Sequence, residues 1–256
     1  MGTQIVISAL VFLYGLVIGS FLNVCIYRIP IGKTIVKGRS YCPNCNALIP
    51  WYLNVPVLSF LFLKGRCKFC NSPISKRYLL VESLTGILYL AVWFVFGFTS
   101  ESLFIAALLS ILIIISFIDY DTQTIPDGLV LLILALGIIH GGYQSICLDA
   151  PWHIWVIGFF AASLPLFILG LIVANSMGGG DIKLMAAAGL FIGWKLILLS
   201  LFIGSIYGAI YSAFILIRRK GNMKTAIPFG PYLSMGITTA VLFGEKLISW
   251  YLTSFF

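Results

Sequence analysis

The chain has 256 residues, of which 61% are hydrophobic and only 9% charged, with a formal net charge of +8. A soluble domain of this size would leave far too much apolar surface in water, so the composition excludes an ordinary globular protein and defines a polytopic membrane protein. The positive charge therefore carries information about topology and gives no reason to expect a nucleic-acid partner.

Residues 5–27 form the first apolar run, long enough to cross about 30 Å of hydrocarbon. No Lys or Arg precedes it, so it lacks the basic start of a cleaved signal and reads as a retained helix. Gly15, Gly19 and Ser20 suit close helix contact. Asn23 is a polar exception that caps, bonds a neighbour or lines a site.

Residues 28–77 differ in kind. They hold nine of the sixteen Lys and Arg, no acid and four of the six cysteines. Five prolines, Pro30 to Pro73, exclude one long helix. The apolar run 55–63 is too short to span and is expected to pack on the membrane surface or on other helices. Seven further apolar segments follow: 78–95, 103–118, 129–139, 152–173, 184–191, 196–217 and 232–250. A break at Gly193-Trp194-Lys195 divides the fifth from the sixth of these. The expected fold is all-α, with about eight transmembrane helices and a small cytosolic zinc-binding domain between the first two. The expected division is 1–27, first helix; 28–77, tetracysteine domain; and 78–256, membrane catalytic domain.

Orientation follows from the basic residues. With 28–77 in the cytoplasm, the loop at 119–126, the glycines at 178–180 and the basic stretch 218–224 also face the cytoplasm. Only Lys195 and Lys246 then lie outside, and both termini are external.

Two constellations carry chemistry. In the first, three glycines run into an acid at Ser176-Met177-Gly178-Gly179-Gly180-Asp181. This reads either as a turn whose aspartate caps the next helix or as a carboxylate with work to do. Gly178 and Gly180 are expected to serve backbone shape and to let a substrate peptide lie against bare backbone. A second acidic cluster, Asp119, Asp121 and Asp127, places three of the eight acids in nine residues. Asp127 follows Pro126, where capping is expected, and Asp121 is expected in a solvated loop. Asp119 follows directly on an apolar span, and the topology puts it on the same face as Asp181. Such a pair can share one proton, one carboxylate activating water while the other polarises a carbonyl. Lys183 is placed to pair with a carboxylate, to orient substrate or to reach the interface. Glu82, a turn inside its span, has either a functional role or an ion pair with a loop base.

In the second constellation, Cys42-Pro43-Asn44-Cys45 and Cys67-Lys68-Phe69-Cys70 can each hold one edge of a tetrahedral Zn²⁺ site. Reduced thiols or a redox pair are the alternatives. Four cysteines would fill the ion's coordination shell, so a zinc here is structural rather than hydrolytic. Cys25 and Cys147 have no partners in this pattern.

These residues resemble the type IV prepilin peptidases, the bifunctional leader peptidases and N-methyltransferases of pilus and type II secretion systems. Gly19-Ser20-Phe21-Leu22-Asn23-Val24 with Tyr27-Arg28 and Pro30 is similar to the family's amino-terminal signature. So are the paired cysteines with Ile74 to Tyr78 and Glu82, the segments around Asp119 and Asp181, and Pro228-Phe229-Gly230-Pro231-Tyr232 near the end. The resemblance implies a GxGD-type intramembrane aspartyl protease with Asp119 and Asp181 as its catalytic pair. Its substrate would be a prepilin or pseudopilin whose short basic leader ends in Gly. It also implies methylation of the new amino terminus from S-adenosylmethionine, and a site in the bacterial inner membrane that faces the cytoplasm. No glycine-rich Rossmann fingerprint marks where the methyl donor binds.

Overall fold

The computed structural model describes residues 2–36, 38–173, 178–218 and 227–255. Ser176, Met177 and residues 219–224 of the basic stretch lie outside them. The described residues form helices α1 (Gly2–Arg28), α2 (Leu58–Phe62), α3 (Lys76–Phe96), α4 (Ser100–Thr122), α5 (Asp127–Cys147), α6 (His153–Ile172), α7 (Gly179–Ile192), α8 (Trp194–Arg218) and α9 (Gly230–Phe255). Six of these, α1, α3, α4, α5, α6 and α8, are long and apolar enough to cross a membrane. No strand occurs among the described residues, only the isolated bridges Tyr41–Leu48 and Arg66–Pro73. The chain divides into two compact units, Met1–Ile114 and Ile115–Phe256, with the boundary inside α4.

In the first unit, α1 lies against α3 along a seam of small residues. A Cβ on Gly15 would come within 2.8 Å of the Gly86 Cα, and one on Gly19 within 2.7 Å of the Glu82 Cα. The expected use of Gly15 and Gly19 is thus met by helix contact. Asn23, buried on α1, donates through Nδ2 to the Tyr78 carbonyl at 3.3 Å and so bonds the two helices together. The apolar run 55–63 folds as a tight turn at Val57, with φ of +61°, followed by the five-residue α2.

In the second unit, α7 is the hub, packed against α5, α6, α8 and α9. At 14 residues it rises about 21 Å, short of the hydrocarbon thickness. Its sequence is apolar nearly all round, as suits a helix enclosed by others, and Leu184 to Gly189, Phe191 and Ile192 are buried. The closest approach is with α6, where Gly158 and Gly189 face each other and neither has room for a Cβ. The expected break after 192 is present, with Gly193 at φ of +79°.

Several helices extend beyond the apolar runs that announce them. α5 continues from 139 to Cys147 through His140, Gly141, Gly142 and Gln144. It does so because His140, 3% exposed, stacks on Phe191 with centroids 4.5 Å apart, and its Nδ1 lies 3.1 Å from the Phe191 carbonyl. A polar residue is thereby accommodated at the end of α7, where carbonyls lack helical partners. Cys147 is the last residue of α5.

Gly158→Val should destabilise the protein by about 1–3 kcal/mol through overpacking, read as a lower melting temperature in detergent.

Candidate active site

Asp119 sits in the last turn of α4 and Asp181 in the first turn of α7. Both are buried, at 5% and 9% exposure. They lie within Coulombic range of each other, so the fold does bring together the two acids singled out in the sequence. Gln123, at φ of +53°, and Pro126 make the short turn from α4 into α5, and the Gln123 N–H donates to the Asp119 carbonyl at 2.8 Å.

One oxygen of Asp119 is held by a group the sequence reading assigned no role. The backbone N–H of Gly230, the first residue of α9, donates to Asp119 Oδ2 at 2.9 Å. The amino-terminal end of a helix presents unpaired N–H groups and a positive partial charge, which suits a carboxylate. Pro231 follows, in a first-turn position that requires no N–H. A Cβ on Gly230 would fall 2.7 Å from Asp119 Oδ2, so glycine is required here for space. The signal available in the sequence was the Gly-Pro pair at the start of an apolar segment.

Asp181 is supported from its own turn. The Gly178 backbone hydrogen-bonds its carboxylate, and the Asp181 N–H donates to the Gly178 carbonyl at 3.1 Å. None of Gly178, Gly179 and Gly180 has a positive φ, so their backbone angles are ordinary. Their value is room. A Cβ on Gly178 would lie 3.1 Å from Asp181 Oδ2 and one on Gly180 3.0 Å from the Ile125 Cβ, while Gly179 faces open space.

The remaining acids behave differently from expectation. Asp121 is in α4 rather than in a loop, on the exposed side. Asp127 does not cap α5 with its side chain. Its Oδ1 accepts from Lys183 Nζ at 2.8 Å, so Lys183 pairs with a carboxylate, one of its three expected roles. The pair is well exposed and worth little energetically, but it joins the starts of α5 and α7. Glu82, in the first unit, is buried, and its Oε2 accepts the Val57 N–H at 2.7 Å.

The four cysteines of the first unit converge. The Sγ atoms of Cys42, Cys45, Cys67 and Cys70 all lie within 4.8 Å of one another, without disulfides. The two halves are built alike. The Cys42 and Cys67 N–H groups donate to the carbonyls of Ala47 and Ser72, and Asn46 and Asn71 take φ of 56° and 55°. Asparagine tolerates that left-handed conformation, and the repeated Cys-x-x-Cys-Asn was the readable sign of it. Backbone N–H groups of Cys45 and Asn44 pull the Cys42 thiol down to about 6, and the Ser72 hydroxyl lowers Cys70. A tetrahedral ion with Zn–S bonds of about 2.3 Å needs sulfur–sulfur edges of about 3.8 Å. Cys42 Sγ and Cys70 Sγ are 3.8 Å apart, so the thiols fit such an ion.

Two buried carboxylates thus meet at helix ends of an all-helical protein, six of whose described helices are long and apolar enough to cross a membrane. Residues 13–96 match the Bacterial Peptidase A24 N-terminal domain and residues 106–213 the Type IV leader peptidase family. The chain belongs to the type IV prepilin leader peptidase family. It is 37% identical to a prepilin leader peptidase/N-methyltransferase of Aeromonas hydrophila, over 96% of this chain and 94% of that one. Proteins of the same name from Legionella pneumophila and Bacillus subtilis are 37% and 33% identical, over 94% and 95% of this chain and 92% and 97% of theirs. No solved structure matches significantly.

Gly230→Ala should lower leader-peptide cleavage by about 100-fold through displacement of the Asp119 carboxylate, with the melting temperature close to that of the unaltered protein.

Proposed function

We propose that this chain cleaves the short basic leader from type IV prepilins or pseudopilins at the cytoplasmic face of the bacterial inner membrane and methylates the new amino terminus. The buried, mutually interacting pair Asp119 and Asp181, inside the segment that matches the leader peptidase family, carries this reading. In the proposed reaction the ionised member of the pair takes a proton from water. The protonated member donates to the scissile carbonyl oxygen as the hydroxide adds to the carbon. Gly230 N–H fixes one Asp119 oxygen, and the open space beside Gly179 admits an extended peptide next to Asp181. Lys183, through Asp127, keeps the starts of α5 and α7 together. The substrate suits this place, since its leader is cytosolic and its apolar helix lies in the bilayer.

The division into a first helix (1–27), a tetracysteine domain (28–77) and a membrane catalytic domain (78–256) is part of the same proposal, as are eight crossings with both termini outside. Nine basic residues and no acids in 28–77 support that orientation. Zinc on Cys42, Cys45, Cys67 and Cys70 closes the tetracysteine domain as a structural ion. S-adenosylmethionine supplies an electrophilic methyl group for the second activity.

A prepilin whose leader ends in Gly before Phe, incubated with the purified chain, tests the pair. Asp119→Asn and Asp181→Asn should each lose at least about 100-fold in cleavage, while Asp121→Asn stays active. Equal cutting by all three would end the protease reading. Metal analysis should find one zinc per chain, and Cys45→Ser should lose it together with thermal stability.

A further inference from the structure

In the first unit, residues 51–65 form a hairpin that runs down beside α3 and returns. At its turn the Val57 N–H donates to Glu82 Oε2 at 2.7 Å. Glu82 is the seventh residue of α3, which places this contact about 9 Å along the axis from the start of the helix. By Gly65 the chain is back at the level of that start: the Gly65 carbonyl accepts from the Ile74 N–H at 2.8 Å, and α3 begins at Lys76. The backbone in between is closed on itself, as an apolar depth requires. The N–H groups of Ser59, Leu61, Leu63 and Gly65 donate to the carbonyls of Val55, Val57, Ser59 and Phe60. Val57 takes a φ of +61°, uncommon for a β-branched residue, and in this turn its N–H meets Glu82. The short α2 then shows two faces. Ser59, Phe60 and the following Leu63 line the unit's cavity of about 370 Å³. Leu58, Leu61 and Phe62, spaced i, i+3 and i+4, share another side and are exposed, Phe62 at 83%. Trp51, at 80% exposure, and Tyr52 lead into the hairpin, and both residue types settle at membrane–water interfaces. Lys64 and Arg66, both exposed, flank Gly65.

We propose that this hairpin is an interfacial wedge: Leu58, Leu61 and Phe62 sink into the lipid leaflet beside α1 and α3, while Lys64 and Arg66 hold anionic lipid headgroups. The depth of about 9 Å falls within the roughly 5–10 Å to which an interfacial apolar face sinks. Two features make lipid the occupant. The wedge lies against α3, which is itself long and apolar enough to meet hydrocarbon. Residues 28–77 carry nine basic side chains and no acid, which attracts anionic headgroups and repels both a second copy and the basic leader of a prepilin. The tetracysteine domain is thereby seated on the bilayer along one edge. Glu82 secures the seat by accepting from a backbone donor at a depth where water is scarce. The proposal goes beyond the cleavage and methyl-transfer readings, neither of which requires it.

Photo-crosslinking of the full zinc-loaded chain tests the wedge. The chain, with p-benzoylphenylalanine in place of Phe62, is reconstituted into vesicles of equal phosphatidylcholine and phosphatidylglycerol, mixed with a prepilin and irradiated. Mass spectrometry should find phospholipid adducts at position 62. The same label in place of Leu13, an exposed residue within α1, is the positive control. At position 62, phosphatidylglycerol adducts should outnumber phosphatidylcholine adducts by about fivefold. Lys64→Gln combined with Arg66→Gln should bring that ratio to about one, with the zinc content and melting temperature in detergent unchanged. Should the double variant fail to fold, about 1 M salt should erase the preference in the chain that keeps both residues. Adducts at position 62 to the prepilin or to a second copy in place of lipid would overturn the wedge. So would the absence of any adduct there while position 13 is labelled. A preference that survives both the double variant and the salt would overturn the headgroup contact.

Discussion

The second unit is organised around the cost of withdrawing two carboxylates from water side by side. Asp119 and Asp181 are both buried and feel each other's charge, an arrangement that is unfavourable unless the surroundings supply donors. The donors are backbone groups: Gly230 for Asp119 and Gly178 for Asp181. Both are glycines because a side chain at either position would press on the carboxylate it serves. The solution uses helix ends, where unpaired N–H groups already exist, and so introduces no further buried charge. It also explains why α7 is short and enclosed. A helix that must bring its first turn to a shared site, while four others pack around it, cannot also be a full lipid-facing span.

The tetracysteine cluster and Glu82 follow related physics in the first unit. The four thiols lie within 4.8 Å of one another, and donors favour the thiolate at Cys42 and Cys70, while burial and the neighbouring thiols push Cys45 up to about 11. Glu82 is a buried carboxyl group held by the Val57 N–H. Glu82 and the Cys42 turn line the same cavity.

The helices were legible where apolar runs met length, as at α3, α6 and α8. The break before Trp194 was legible because glycine there takes a positive φ. The catalytic candidates were legible because acids are scarce in this chain and a buried one stands out. What escaped was whatever depends on tertiary context. α5 runs past its apolar stretch because His140 finds the Phe191 carbonyl, a partner 51 residues away. Asp127 was expected to cap its own helix but meets Lys183 on another. Gly230 has no side chain by which a role could be read. The glycines before Asp181 were credited with unusual angles, yet they serve by leaving space.

The bond from Gly230 to Asp119 spans 111 residues of sequence. Its donor stands at the start of α9, the last helix, and α7 is not enclosed until α8 and α9 are in place. As the chain emerges from the ribosome, Asp119 is made early and its donor almost last. The bond that fixes Asp119 therefore cannot form until the final helix has been made, so the surroundings of this early acid are completed last.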